Sequence, residues 1–196
     1  MACNDLSLAN QGLAAWKEEQ HGERRSRQKG AGLYFVRLQM AHLHEGMKIV
    51  RDLKNDPALM RVVRDCDTRT KDSFHELERY RKGGSLHSQF EVLVGHMRNN
   101  LTFHYDEKLK LIPKSISSLA RSRDPVGSVT RGNTAHVGYF QAADRLINNI
   151  VCFQLWGIPE DADTAKEADK KAMECHEIFL HFVDFAGEFI WKYCTS

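Results

Sequence analysis

Residues 164–193 read TAKEADKKAMECHEIFLHFVDFAGEFIWKY. Within them Ala168, Ala172, Cys175, Phe179, Phe182, Ala186, Phe189 and Tyr193 succeed one another at steps of three and four without a break. A helix turns once in about 3.6 residues, so this spacing lays the whole series along one side of a long helix. Thr164 and Glu167 have the form of a capping box and predict its start.

The same arithmetic applies elsewhere. Leu33, Val36, Met40, Leu43, Met47, Val50 and Leu53 form a second seam of bundle type. Asp56-Pro57 has the form of a helix start, since an N-cap Asp accepts bonds from free amides and Pro tolerates the first helical position. The helix it opens is expected to run to Tyr80, broken midway by Thr70 and Ser73, and to end at Gly83-Gly84. Ser88-Gln-Phe-Glu91 reads as another capping box, launching a helix with Phe90, Leu93, Val94, Met97 and Leu101 inside. Pro113 forces a kink or a new start, and 121–136 reads as a long loop in which 126–129 pairs briefly as a strand. A helix over 139–156 is ended by Gly157 and Pro159.

These elements predict an all-α fold, a bundle of five to six mostly antiparallel helices. Residues 1–32 are assigned to a short helix (6–20) and a basic connection (21–32), and 33–196 to a single bundle domain. Leu93, Met97, Leu101, Phe179, Phe182 and Phe189 are expected to be buried.

Composition sets outer bounds. A chain of 196 residues with 42% hydrophobic and 28% charged residues has the balance of a soluble globular protein. Its most apolar segment, 146–158, is interrupted by Asn148, Asn149 and Gln154 and is too short to span a bilayer, so no membrane segment is expected. Five cysteines without a Cys-x-x-Cys pair predict reduced thiols and a cytoplasmic setting. Net charge is +2, but six basic residues between Lys108 and Arg131 face one acid, Asp124, whereas nine acids outnumber four lysines from Glu160 onward. That asymmetry admits an anionic partner, or simply a solvated face.

Chemistry concentrates in Leu-Val-Gly-His-Met-Arg-Asn-Asn-Leu-Thr-Phe-His-Tyr-Asp, residues 93–106. Arg98, Asn99, Asn100 and His104 lie beside or within the stripe of Val94, Met97 and Leu101, and arginine is seldom buried without a partner. An Arg followed by Asn, with His six positions after the Arg, resembles the Arg-x(4 to 6)-His signature of the HEPN superfamily of helical ribonucleases. The resemblance covers this helix and the all-helical plan. It implies a metal-independent endoribonuclease acting on single-stranded RNA, with His104 transferring protons, Arg98 clamping phosphate and Asn99 orienting, without cofactor or metal. It further implies a homodimer whose two motifs face a shared cleft.

Independently of the family, those residue types suit RNA cleavage by the neighbouring 2′-hydroxyl. Histidine titrates near neutral pH and positioned acid–base groups contribute about 10² to 10⁴-fold. The arginine fork matches phosphate oxygens. In a straight α-helix, however, six positions set Arg98 and His104 about 120° apart around the axis. Asn100 and His104 share a side, with His96. Either Arg98 reaches around, or the helix deforms near Thr102, or a partner subunit completes the site.

Plainer readings stand beside this one. His104 suits a hydrogen-bonded core residue, and Arg98 a salt bridge to an acid on a neighbouring helix. A helical interaction module binding a partner protein through the 33–53 or 168–193 seam is the non-enzymatic alternative. A metal-binding bundle is the third, with Glu177 and His181 at i, i+4 and His176 and Asp184 nearby, although the paired Glu-x-x-His of carboxylate-bridged bundles is absent.

Overall fold

The computed structural model describes residues 1–18, 29–102, 110–121, 129–130 and 139–195. Among them the chain forms α1 (Ala2–Glu18), α2 (Lys29–Lys54), α3 (Pro57–Asp65), α4 (Thr68–Tyr80), α5 (residues 87–102), α6 (Leu111–Arg121), α7 (residues 141–155) and α8 (Thr164–Thr195). The class is all-α as expected, with eight helices rather than five or six. A two-residue antiparallel ladder pairs Val129 with Phe140 and Thr130 with Tyr139. The brief strand expected over 126–129 is met at Val129, and 126–128 lie outside the described residues.

The extra helices have local causes. Asp56 starts α3 as predicted, its carboxylate accepting from the amides of Ala58 (2.8 Å) and Leu59 (3.1 Å). That helix stops at Asp65, because Cys66 adopts an extended backbone and Asp67 caps a new helix by accepting from the Thr70 amide (2.7 Å). The expected single helix to Tyr80 is therefore two. At α8 the cap is Asp163, which accepts from the Lys166 amide (3.1 Å), one residue before the predicted Thr164. No side chain caps α5, which begins at His87, so Ser88 is already helical and the capping box expected there is not formed. Pro113 lies in the first turn of α6, where its missing amide costs little.

Helix α2 is the hub and packs against α1, α3, α4, α5, α7 and α8. It begins at Lys29, inside the expected connection. Its seam buries Met40, Leu43, Met47, Val50 and Leu53, while Leu33 and Val36 nearer its start are only half-buried. At its middle Gly46 admits the ring of Phe182 from α8, since a Cβ there would lie 2.7 Å from the ring. Of the residues expected to be inside, Leu93, Met97, Leu101, Phe179 and Phe182 are buried; Phe189 packs against the core but is only partly covered, towards the end of α8. Leu6 of α1 also belongs to the core. Trp156 closes the interior by donating its indole N–H to the carbonyl of Leu93 (3.1 Å). Among the described residues no helix is long and apolar enough to cross a membrane, and the cysteines Cys3, Cys66, Cys152, Cys175 and Cys194 are free.

Candidate nucleic-acid site

Helix α5 is not regular. It starts as an α-helix over His87–Phe90, takes π form over Glu91–Gly95, and takes it again over Arg98–Thr102. The amide of His96 bonds to the carbonyl of Glu91, five residues back. Each such turn holds an extra residue and rotates the positions beyond it, so straight-helix geometry does not hold over Glu91–Gly95 and Arg98–Thr102. A deformation near Thr102, one of the three ways of reconciling the motif with its spacing, is thus present. π-Turns inside α-helices occur often at functional positions.

Arg98 sits at the α5–α2 contact, about a quarter exposed. Its Nε and Nη2 both reach Oε1 of Glu45 on α2, at 3.1 and 2.9 Å, and its Nη1 donates to Oδ1 of Asn99 at 3.0 Å. The neighbouring acid allowed for in the sequence is therefore Glu45. Of the five N–H groups of a guanidinium, these bonds engage three. The other two have no partner among the described residues. Asn99 itself is exposed, and Asn100 turns back to donate to the carbonyl of His96 (2.7 Å). His104 lies outside the described residues.

Sequence reasoning did not single out the groups around this arginine. Lys48 donates to both oxygens of Glu45, at 2.8 and 2.7 Å. The hydrogen bond from Lys48 holds the Glu45 carboxyl below its ordinary range, and the charges of Lys48 and Arg98 add to that against an opposing effect of burial. His44 lies between two carboxylates, with Nε2 3.6 Å from Glu91 and Nδ1 3.7 Å from the same Glu45 oxygen that Arg98 uses. Its ring stacks on Phe90. Burial pushes its pKa below the ordinary 6.5, outweighing the two acids, so the ring is neutral at pH 7. Gly95 makes room for this arrangement, because a Cβ there would collide with the Glu91 carboxylate. The only cue in the sequence was the polar run His44-Glu45 beside an apolar seam, which says nothing about which helix it meets.

The rival metal set does not assemble. Asp184 pairs with Arg69 (2.7 Å), His181 Nδ1 lies 3.3 Å from the hydroxyl of Ser73, and His176 stacks on Phe179. Among the described residues no group of three or more His, Cys, Asp or Glu side chains is placed to hold an ion. Of the basic run at 108–131, Lys110, Lys114 and Arg121 are described, and the last helical turn of α6 carries Arg121.

No family model matches the chain, and neither the curated proteins nor the solved structures contain a match to it.

Proposed function

We propose that this protein is a metal-independent endoribonuclease of HEPN-like type acting on single-stranded RNA, with Arg98, Asn99 and His104 as its working residues. The observation that carries the reading is the anchored guanidinium of Arg98. Glu45 grips its Nε and Nη2, and two N–H groups are left for phosphate oxygens on a partly exposed surface. A clamp held in advance loses little freedom when charge builds on the phosphate, and such donors are worth roughly 2.7 to 4 kcal/mol each at the transition state.

In this reading His104 accepts the proton of a ribose 2′-hydroxyl, whose oxygen attacks the adjacent phosphorus. The 5′-oxygen leaves with the proton that His104 gives back, giving a 2′,3′-cyclic phosphate and a 5′-hydroxyl. A second copy of the chain supplies the other half of the cleft. The test is incubation of purified protein with single-stranded RNA in excess EDTA. RNA is cleaved with cyclic phosphate ends and DNA survives; Arg98→Ala and His104→Ala each lower the rate by about 10² to 10⁴-fold while remaining folded. Absence of cleavage, or cleavage unchanged in both variants, overturns the proposal. Light scattering checks the dimer.

A second reading rests on a different observation. Helix α8 exposes Met173, Leu180 and Trp191, which share one side of the helix opposite its buried seam. That face suits a helical interaction module, and capture of a partner protein lost on Trp191→Ala would favour it.

A further inference from the structure

Between α1, α2, α7 and α8 lies a cavity of about 650 Å³. It opens on the side of α2 that carries Val36, Met40 and Leu43, opposite Glu45 and its arginine. Its size is that of a small-molecule site, and such sites are apolar with a few placed polar groups. Here the walls are the half-buried start of the α2 seam, Leu33 and Val36, together with Val151 and Phe179. Two indoles also line it, Trp16 and Trp156. The Trp156 N–H is committed to Leu93, so this residue offers the cavity its ring.

Beside Asn148, Asp169 and His176, the lining carries a hydrogen-bonded amide pair. Gln39 Nε2 donates to Asn10 Oδ1 (3.1 Å), and both side chains line the cavity. One carbonyl, Gln39 Oε1, and one amino group, Asn10 Nδ2, then have no partner among the described residues. If both amides were turned over, the pair would still present one carbonyl and one amino group. A donor beside an acceptor matches the edge of a lactam or a similar cis-amide. Among the described residues Asp169 is the one carboxylate on the lining, with no Lys or Arg side chain there to offset it, and Asn148 and His176 are the other polar side chains, so an anion set beside Asp169 meets a like charge and a costly desolvation.

We infer that this cavity binds an uncharged, flat aromatic molecule bearing a cis-amide edge, with the ring against the tryptophans and the edge on Asn10 and Gln39. The site is independent of the ribonuclease reading and stands or falls separately.

Calorimetric titration with three probes of similar size tests it: 2-quinolinone, which carries the edge; naphthalene, which lacks it; and 2-naphthoate, which is anionic. The expected order is 2-quinolinone tightest, with 2-naphthoate at least tenfold weaker. Gln39→Leu, alone and with Asn10→Leu, lowers 2-quinolinone affinity at least tenfold and leaves naphthalene within about twofold. Ala172→Phe, which fills the cavity, abolishes binding of both neutral probes, with circular dichroism verifying each fold. If Ala172→Phe does not fold, Val36→Phe takes its place. No binding of 2-quinolinone at millimolar concentration overturns the inference, as does equal affinity for 2-naphthoate or undiminished affinity in the Gln39 variant.

Discussion

Helix α2 carries two faces that solve the problem of burial in opposite ways. Towards α5 it presents His44 and Glu45: Glu45, itself bonded by Lys48 of the same helix, holds Arg98, and the His44 ring stacks on Phe90 beside the Glu91 carboxylate. Towards the α1–α7–α8 side it presents Leu33, Val36 and Gln39, which stop short of their neighbours and leave the cavity. Charged groups that are partly covered take partners at hydrogen-bond distance with directional geometry, so the first face fixes positions closely. Apolar walls lack directional demands and tolerate a gap at the cost of lost contacts. One face is therefore suited to holding a charge in place and the other to admitting a neutral guest.

Both faces depend on α2 being held against α8, and the largest expected effect breaks that hold. The ring of Phe182 is seated on Gly46. Phe182→Ala removes it and lowers stability by about 3 to 5 kcal/mol in urea titration, the usual range for a buried Phe. A loss below about 1 kcal/mol, far under that range, would mean that the faces do not share a rigid helix. Next comes Ala172, on the lining of the cavity. Ala172→Leu partly fills the space and raises stability by about 0.5 to 2 kcal/mol in the same titration, in the range of void-filling changes. Destabilisation there would mean that this wall has no room to give, and would weaken the contrast.

The charged face gives smaller numbers. Arg98 and Glu45 are partly exposed, at 26% and 43%. Solvent screening therefore leaves their coupling in a Glu45→Ala, Arg98→Ala double-mutant cycle at only about 0.2 to 1 kcal/mol. A coupling near zero would detach Arg98 from its anchor. Smallest is a pH effect. His44 has a folded pKa below its ordinary 6.5, so between the two values the unfolded chain binds more protons than the folded one. This contribution is complete above about 6.5 and is lost as pH falls below it, down to the folded value. His44→Gln removes that part of the slope in thermal melts from pH 7.5 to 5.5, and an unchanged slope would mean that the ring is not held neutral.

The two faces also differ in how far the sequence announced them. Seams were legible because apolar residues at steps of three and four have a single physical reading, and α2 and α8 follow it over their middles, with Leu33 and Val36 half-buried and Tyr193 exposed at the ends. The break at Cys66–Asp67 was not, since the interruption visible in the pattern was at Thr70 and Ser73, which lie buried within α4, and only the capping by Asp67 marks the stop. The π-turns of α5 were not fixed by the seam, although the motif's spacing allowed a deformation near Thr102. Leu93, Met97 and Leu101 are spaced by four, which suits an α-helix and a locally widened one alike. Arg98 stood out in the chain, but its partner Glu45 lies 53 positions away on another helix. Periodicity shows which side of a helix is buried and leaves open which helix it meets. The amide pair of Asn10 and Gln39 was lost in the same way, because neither residue is unusual until α1 and α2 are laid together.

The most direct test of the account is the salt dependence of single-stranded RNA binding by the wild type and by Arg98→Ala. Each phosphate neutralised adds about 0.7 to the slope of log affinity against log salt for single strands. If Arg98 takes a phosphate, Arg98→Ala lowers the slope by about that amount per site, whereas Gln39→Leu, on the neutral face, leaves it unchanged. Equal slopes for Arg98→Ala and the wild type would contradict the account, since the anchored guanidinium would then play no part in holding RNA.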